Sequence, residues 1–321
     1  MEGSRPRISA MINTYNEEKN LPYALRCVKP WVDEIVVVDM HSEDRTVEIA
    51  RDYGAAVYFH ERMGFADPAR SFAIAQTTGD WILMLDADEL IPAPLSKRIR
   101  QIVREDSADV VTFQREEYIL GSPLHNSGYQ LAQNKHTRLF KRDSLQANPA
   151  IHDFLKPVPA ARILDVPGRS GEVMIHFAYL DTASFLDKMN RYSTIEANQS
   201  FARGAGKTPA WVPRDMRPYP PLHILFQGRR SAAWALLYGA FHAASRYIKN
   251  RGYRDGWRGA YIALFWGMYY LAAYAKLTEL ETVGTREMIE DHYHDVAEHI
   301  LKEYAEAPRD VSPDTKHPQS R

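Results

Sequence analysis

The stretch GDWILMLDADEL, Gly79 to Leu90, decides how this chain is read. Its apolar run from Trp81 to Leu85 has the length and continuity of a strand buried on both faces. That run ends in Asp86, Asp88 and Glu89, three carboxylates within four residues. Like charges so close repel, and a divalent cation would offset the repulsion. On extended backbone, residues i and i+2 point the same way, so Asp86 and Asp88 are expected to face one ligand together. Hard oxygen donors suit Mg²⁺ or Mn²⁺, and Mg²⁺ is commonly held by one or two carboxylates plus substrate phosphates.

Upstream, strand and helix signals alternate. Ile8 to Ile12 is a short apolar run, and Leu21, Ala24, Leu25 and Val28 follow at helical spacing, with Asn20 as a cap and Pro22 in the first turn. EIVVVDM (Glu34 to Met40) is a β-branched strand, SEDRTVEIARDYG a helix ending at Gly54, and AAVYF (Ala55 to Phe59) a third strand. Ala69 to Thr77 reads as the next helix, and Leu95, Ile99, Ile102 and Val103 mark the one after Gly79–Leu90. This β-α-β-α-β-α-β order predicts an α/β fold, a mostly parallel sheet with helices on both faces. Ligands bind such sheets outside the carboxyl ends of the strands. Asn13 to Glu18, Asp39 to Asp44 and Asp86 to Glu89 all fall there and are expected to line one crevice.

NTYNEE, after the first strand, has no glycine fingerprint, which removes a dinucleotide-binding turn and a P-loop. Its Asn, Thr, Tyr and Glu side chains offer a base-and-ribose pocket instead. Asp39 could accept from a nucleobase N–H, or cap the helix that follows. Further on, strands are expected at Val110 to Arg115, Thr137 to Lys141 and Val173 to His176, with a long helix from Thr182 to about Ala202. His292 and His294 lie two apart on an expected helix, where their side chains diverge, so they make no metal pair. Cys27 belongs to an apolar helix face beside Ala24 and Val28.

The 321 residues suffice for one large domain with an appendage, and 45% apolar with 25% charged residues describes a folded chain. Forty basic against 41 acidic residues leave a net charge of −1, so no global field argues for nucleic acid. One cysteine excludes an internal disulfide and suits a reducing compartment, and no signal peptide is read at the start. Residues 1–205 are expected to form the catalytic domain, with GAGKTP (Gly204 to Pro209) as a linker. Residues 206–306 form a helical extension, and 307–321 a disordered tail. In the extension, GAYIALFWGMYYLAAYA is 17 uncharged residues long, the lower limit for a span, and its tyrosines favour an interface. Ser231 to Asn250 is a similar helix, with Arg229, Arg230, Arg246, Lys249, Arg251 and Arg254 close by. Aromatic surface with clustered Arg and Lys suits helices lying on an anionic bilayer, against the alternative of a hairpin packed on protein.

SAMINTYNEEKNLPYAL, DEIVVVDMHSEDRT and ARSFAIAQTTGDWILMLDADE together resemble the family 2 inverting glycosyltransferases of the GT-A fold. RLFKRD, IHDFL, IHFAYLD, KMNRYSTIEA, NRGYRDGWRGAYIA and YAKLTE resemble the bacterial lipopolysaccharide-core glucosyltransferase branch, and the match spans about residues 7 to 280. The resemblance implies that Thr14, Tyr15 and Glu17 contact the uridine of a nucleotide sugar and Asp39 its uracil. Arg70 would approach the sugar or diphosphate, Asp86 the ribose or sugar, and Asp88 a Mg²⁺ or Mn²⁺ ion. Asp153 in IHDFL matches the family's base, and His176 sits where a further metal or phosphate ligand is supplied. The chain departs from the common pattern at His41 and Arg45, which replace glycines, at Ser71 for asparagine and at Asp153 for glutamate. The expected activity is metal-dependent transfer of a hexose from a UDP-sugar to a lipopolysaccharide-core or lipid-linked acceptor. The expected place is the cytoplasmic face of the inner membrane. Two other classes stay open: a nucleotidyltransferase, which normally carries a glycine- and basic-rich phosphate loop that NTYNEE is not, and a non-catalytic membrane-bound scaffold.

Overall fold

The computed structural model describes residues 5–61, 67–147, 155–169, 171–202 and 232–306. Strands β1 (Ile8–Thr14), β2 (Glu34–Asp39), β3 (Ala56–Phe59) and β4 (Trp81–Asp86) form a parallel sheet in the order 3-2-1-4. Between them run α1 (Leu21–Val28), α2 (Thr46–Asp52) and α3 (Asp67–Gln76). The residues alternate between the two faces of this sheet with period two. Ile8, Ala10, Ile12, Ile35, Val37, Trp81, Leu83 and Leu85 pack with α1, with Ala50 of α2 and with α4 (Ala93–Glu105). Met11, Val36, Val38, Ile82 and Met84 pack on the other side with Ala69 and Ala73 of α3. A strand buried on both faces must be apolar at nearly every position, which is why EIVVVD and WILMLD carry no interior charge.

Beyond β4 the sheet turns mixed. A two-residue strand β5 (Glu89–Leu90) leads into α4, and β6 (Val110–Ile119) is followed by β7 (Ser122–Leu124) and β8 (Lys135–Lys141). β8 lies between β4 and β6, antiparallel to both. β9 (Leu145–Ala147) pairs with β10 (Leu155–Pro157), and β11 (Ile163–Val166) runs parallel to the start of β6. The second half of β6 leaves this layer to pair with β12 (Met174–Tyr179), which also pairs with β5. One strand thus belongs to two sheet regions. Its length explains this, since the ten residues observed exceed the six expected from Val110 to Arg115.

Three long helices complete the described chain after α5 (Thr182–Ala202): α6 (Ala232–Ala244), α7 (Gly256–Thr282) and α8 (Arg286–Glu306). A Cβ on Gly239 of α6 would lie 2.7 Å from the Gly267 carbonyl oxygen of α7, so two glycines let the helices cross almost backbone to backbone. Arg246 is buried at the junction, where its Nη1 donates to Ser127 O at 2.7 Å and its guanidinium lies 4.3 Å from the Trp266 ring. Asp255 accepts from Asn126 Nδ2 at 2.9 Å and Ser127 Oγ at 2.8 Å, and Arg258 Nε donates to Leu120 O at 2.9 Å. The helices are therefore fastened to the loops after β6 and β7. No helix of the described residues is long and apolar enough to cross a membrane.

Candidate functional site

Parallel register does the first assembly. Thr14 pairs with Asp39 across β1 and β2, and Asn13 with Asp86 across β1 and β4, so the three predicted loops leave one edge side by side. Thr14 Oγ1 donates to Asp39 Oδ2 at 2.8 Å. Asp39 is fully buried and also accepts from Ser42 N at 2.8 Å and Ser42 Oγ at 2.6 Å. A carboxylate offers about four lone-pair directions, so three of them are used within the protein. The β1 and β2 loops are laced further. Asn16 N donates to Ser42 Oγ and Asn16 Oδ1 accepts from Glu43 N, both at 2.8 Å, and Glu17 N donates to Thr46 Oγ1 at 2.7 Å. Asn16 holds φ +54°, a left-handed conformation that asparagine tolerates better than most residues. Asn20 does not cap α1 through its side chain; its Nδ2 donates to Glu17 Oε2 at 2.9 Å. Tyr15 is half-buried against the α3-side core.

The acidic stretch departs from the extended backbone expected for Asp86 to Asp88. The chain turns at Ala87 and Asp88 between β4 and β5, and this gives each carboxylate different neighbours. Asp86 accepts from Arg70 Nη2 at 3.1 Å and from Arg138 Nη2 at 2.7 Å. Burial alone would raise its carboxyl pKa, but Arg138, Arg70 and Arg115 outweigh burial and hold it well below the usual range. Glu89 has no exposed surface and accepts from Arg138, from Arg115 Nη1 at 2.6 Å and from Asp86 N at 3.0 Å. Much of the crowding is thus offset by arginines from β6 and β8. A buried carboxylate held by two guanidiniums is a structural element, and Glu89 has that role.

Asp88, like Asp86, keeps part of its carboxylate exposed. The β5–β12 ladder pairs Glu89 with His176, and Asp88 O accepts from Phe177 N at 3.0 Å, which brings His176 Nε2 to 3.3 Å from Asp88 Oδ2. Glu117 accepts at His176 Nδ1 from the other side. Burial and Arg115 oppose a charge on His176, yet Asp88 and Glu117 outweigh them and raise the imidazole to about 9. Burial would raise the Asp88 carboxyl, and His176 more than reverses that. Glu17 is pushed up to about 7, chiefly by burial, with the charge of Asp88 adding to the rise. Asp88 and His176, both expected to hold metal, are therefore brought together. Asp88 gives one oxygen donor, and His176 gives a nitrogen donor once its Nε2 proton is released, with Glu117 orienting the ring from behind; the other positions of a divalent cation would be filled by water and phosphate oxygens. Among the described residues no group of three or more His, Cys, Asp or Glu side chains is arranged as metal ligands. Asp153 lies outside the described residues. Arg115, Glu117 and Arg138 were not read from the sequence; charged residues in otherwise buried strands were the signal available.

The sheet order 3-2-1-4 with an antiparallel neighbour, acidic strand ends and helices on both faces is the arrangement expected of the GT-A fold. The family model described as glycosyl transferase family 2 matches residues 9–155. An uncharacterized glycosyltransferase of Rickettsia felis is 30% identical over 206 residues, 62% of this chain and 71% of that one. LpsC of Rhizobium meliloti, a lipopolysaccharide core biosynthesis glycosyltransferase, is 24% identical over 296 residues, 88% of this chain and 96% of its own. Among solved structures, the mannosyltransferase PcManGT of Pyrobaculum calidifontis, in complex with GDP-Man and Mn²⁺, matches 86% of this chain and 88% of its own. It is 16% identical, with a TM-score of 0.44. The chain belongs to glycosyltransferase family 2 and is a glycosyltransferase.

Proposed function

We propose that the protein transfers a hexose, with UDP-glucose as the first donor to test, to a hydroxyl of a lipopolysaccharide-core or lipid-linked acceptor, inverting the anomeric centre. The observation that carries this reading is the meeting of three strand-end loops beside the Asp88–His176 pair. Tyr15 and Glu17 are the residues proposed to meet the nucleoside, and Asp39, wholly buried and bonded to Thr14 and Ser42, keeps the loop beneath them rigid rather than touching the base. Arg70 and Asp86, bonded to each other, present a fixed pair of opposite charges to the ribose or sugar. Asp88 and His176 would hold Mg²⁺ or Mn²⁺, which when bound neutralises charge growing on the departing diphosphate. The acceptor hydroxyl needs a base within hydrogen-bond reach, and Asp153 is the residue proposed for it on family resemblance. The lipopolysaccharide-core acceptor is proposed because LpsC, matched over most of both chains, carries that description.

The same reading assigns 1–205 to catalysis, 206–306 to a membrane-associating extension and 307–321 to a tail, and places the enzyme on the cytoplasmic face of the inner membrane. Trp257, Tyr261, Leu264 and Met268 support it. They recur at helical spacing on α7 yet are 55%, 52%, 56% and 50% exposed, so the outer face is apolar as well as the buried one. Between Ser231 and Lys276 the exposed cations Lys249, Arg251 and Arg254 stand against the single acid Asp255, whose carboxylate is tied inward. An apolar aromatic stripe beside uncompensated cations matches an anionic interface. Calorimetry with UDP and Mn²⁺, with and without EDTA, and a donor-hydrolysis screen across UDP, GDP and dTDP sugars test the reaction. Absence of nucleotide binding refutes it, and wild-type turnover by Asp153→Asn removes Asp153 as the base.

A further inference from the structure

The cations around the acidic stretch are nearly all committed. Arg70 pairs with Asp86, Arg138 with Asp86 and Glu89, and Arg115 with Glu89 and Glu117. His176 lies between Asp88 and Glu117. Arg115 and Arg138 cannot turn to a substrate without releasing the buried carboxylate of Glu89, which is costly, and Arg70 already serves Asp86. A departing nucleoside diphosphate nevertheless needs positive charge on the open side of the cleft.

Lys188 of α5 lies outside these pairs. Phe185, buried at the start of α5, packs against Tyr179 of β12 with ring centroids 4.3 Å apart. Three residues later on the same helix face, the Lys188 ammonium lies over the Tyr179 ring at 5.1 Å. Tyr179 lies on β12, the strand that carries His176, so the ammonium sits beside the strand that meets Asp88, and its charge also acts on Glu17 of the β1 loop. Among the described residues, no carboxylate forms an ion pair with it. Lysine carries a compact charge on a flexible stem, suited to following a phosphate that moves as a bond breaks.

We propose that Lys188 is a diphosphate-binding residue, its ammonium held above Tyr179 to meet the phosphates of the nucleotide opposite Asp88. This rests on the nucleotide-sugar reading and adds to it a residue from the helix beyond the family's matched segment. The test is calorimetry with UDP and with UMP, in Mn²⁺, on wild type, Lys188→Gln and Lys188→Arg, each first shown by thermal melting to be folded. Loss of one charge-assisted contact should weaken UDP binding by Lys188→Gln about tenfold, with UMP changed far less and Lys188→Arg restoring most of the affinity. Equal affinity of wild type and Lys188→Gln for UDP, or an equal loss for UDP and UMP, overturns the role of Lys188 alone. A wild type that binds no UDP overturns the nucleotide-sugar reading together with it.

Discussion

Replacing Glu89 and Asp88 in turn separates structure from chemistry within one acidic stretch. Glu89 is fully buried and accepts three hydrogen bonds, two of them from guanidiniums. Glu89→Gln keeps the shape and one acceptor but removes the charge between Arg115 and Arg138. Breaking a buried ion pair costs about 3–5 kcal/mol. Each arginine retains another carboxylate, Glu117 or Asp86, which favours the lower end. At roughly 2–4 °C per kcal/mol for a large domain, the melting temperature should fall by about 6–12 °C. Asp88 is different, because among the described residues its ion-pair partner is His176 alone and the charge of Asp86 opposes it. Asp88→Asn breaks one ion pair rather than two and should lower the melting temperature by less than Glu89→Gln does, while sugar transfer is lost. Denaturant and thermal unfolding of both variants, alongside donor turnover, give the comparison. A Glu89→Gln protein as stable as wild type would refute the assignment of Glu89 to the framework.

Other outcomes follow from the same geometry. Burial pushes Glu196 from 4.5 to about 7 despite the Tyr269 hydroxyl bond. A folded value above the unfolded one adds stability that is full below about pH 4.5 and lost as pH rises through 7. Glu196→Gln should therefore flatten the fall in melting temperature between pH 5 and 8, a term of at most about 3 kcal/mol. Gly267→Ala places a Cβ 2.7 Å from the Gly239 carbonyl oxygen and should cost about 1–3 kcal/mol in chemical denaturation. Serine at Trp257, Leu264 and Met268 together should reduce cosedimentation with anionic vesicles at least tenfold, since each apolar side chain buried contributes about 1.5–3 kcal/mol. Unchanged sedimentation would remove the α7 stripe as the contact.

The parallel half of the fold was legible because both of its layers are written in apolar periodicity. Val36 and Val37 pack on opposite faces, and EIVVVD announces that by having no polar position between Glu34 and Asp39. Convergence of the three loops followed from strand polarity alone, and the β1–β2 and β1–β4 registers bear it out. What escaped was pairing across distance. Nothing local to Arg138 says that it meets Asp86 and Glu89, because β8 joins β4 from 52 residues away in an antiparallel sense that no short motif encodes. The bend at Asp88 escaped for a related reason. Extended geometry is the default after a buried strand, and only the β5–β12 ladder makes the chain turn.

Strand β6 carries a practical consequence. Its first half is hydrogen-bonded into the sheet that bears the donor loops and its second half into the strand that bears His176. Any chimera meant to exchange acceptor preference between family members must take the cut outside this strand. A junction near Arg115 would splice two sheets along one unbroken rod and misalign Glu117 with the imidazole it steadies.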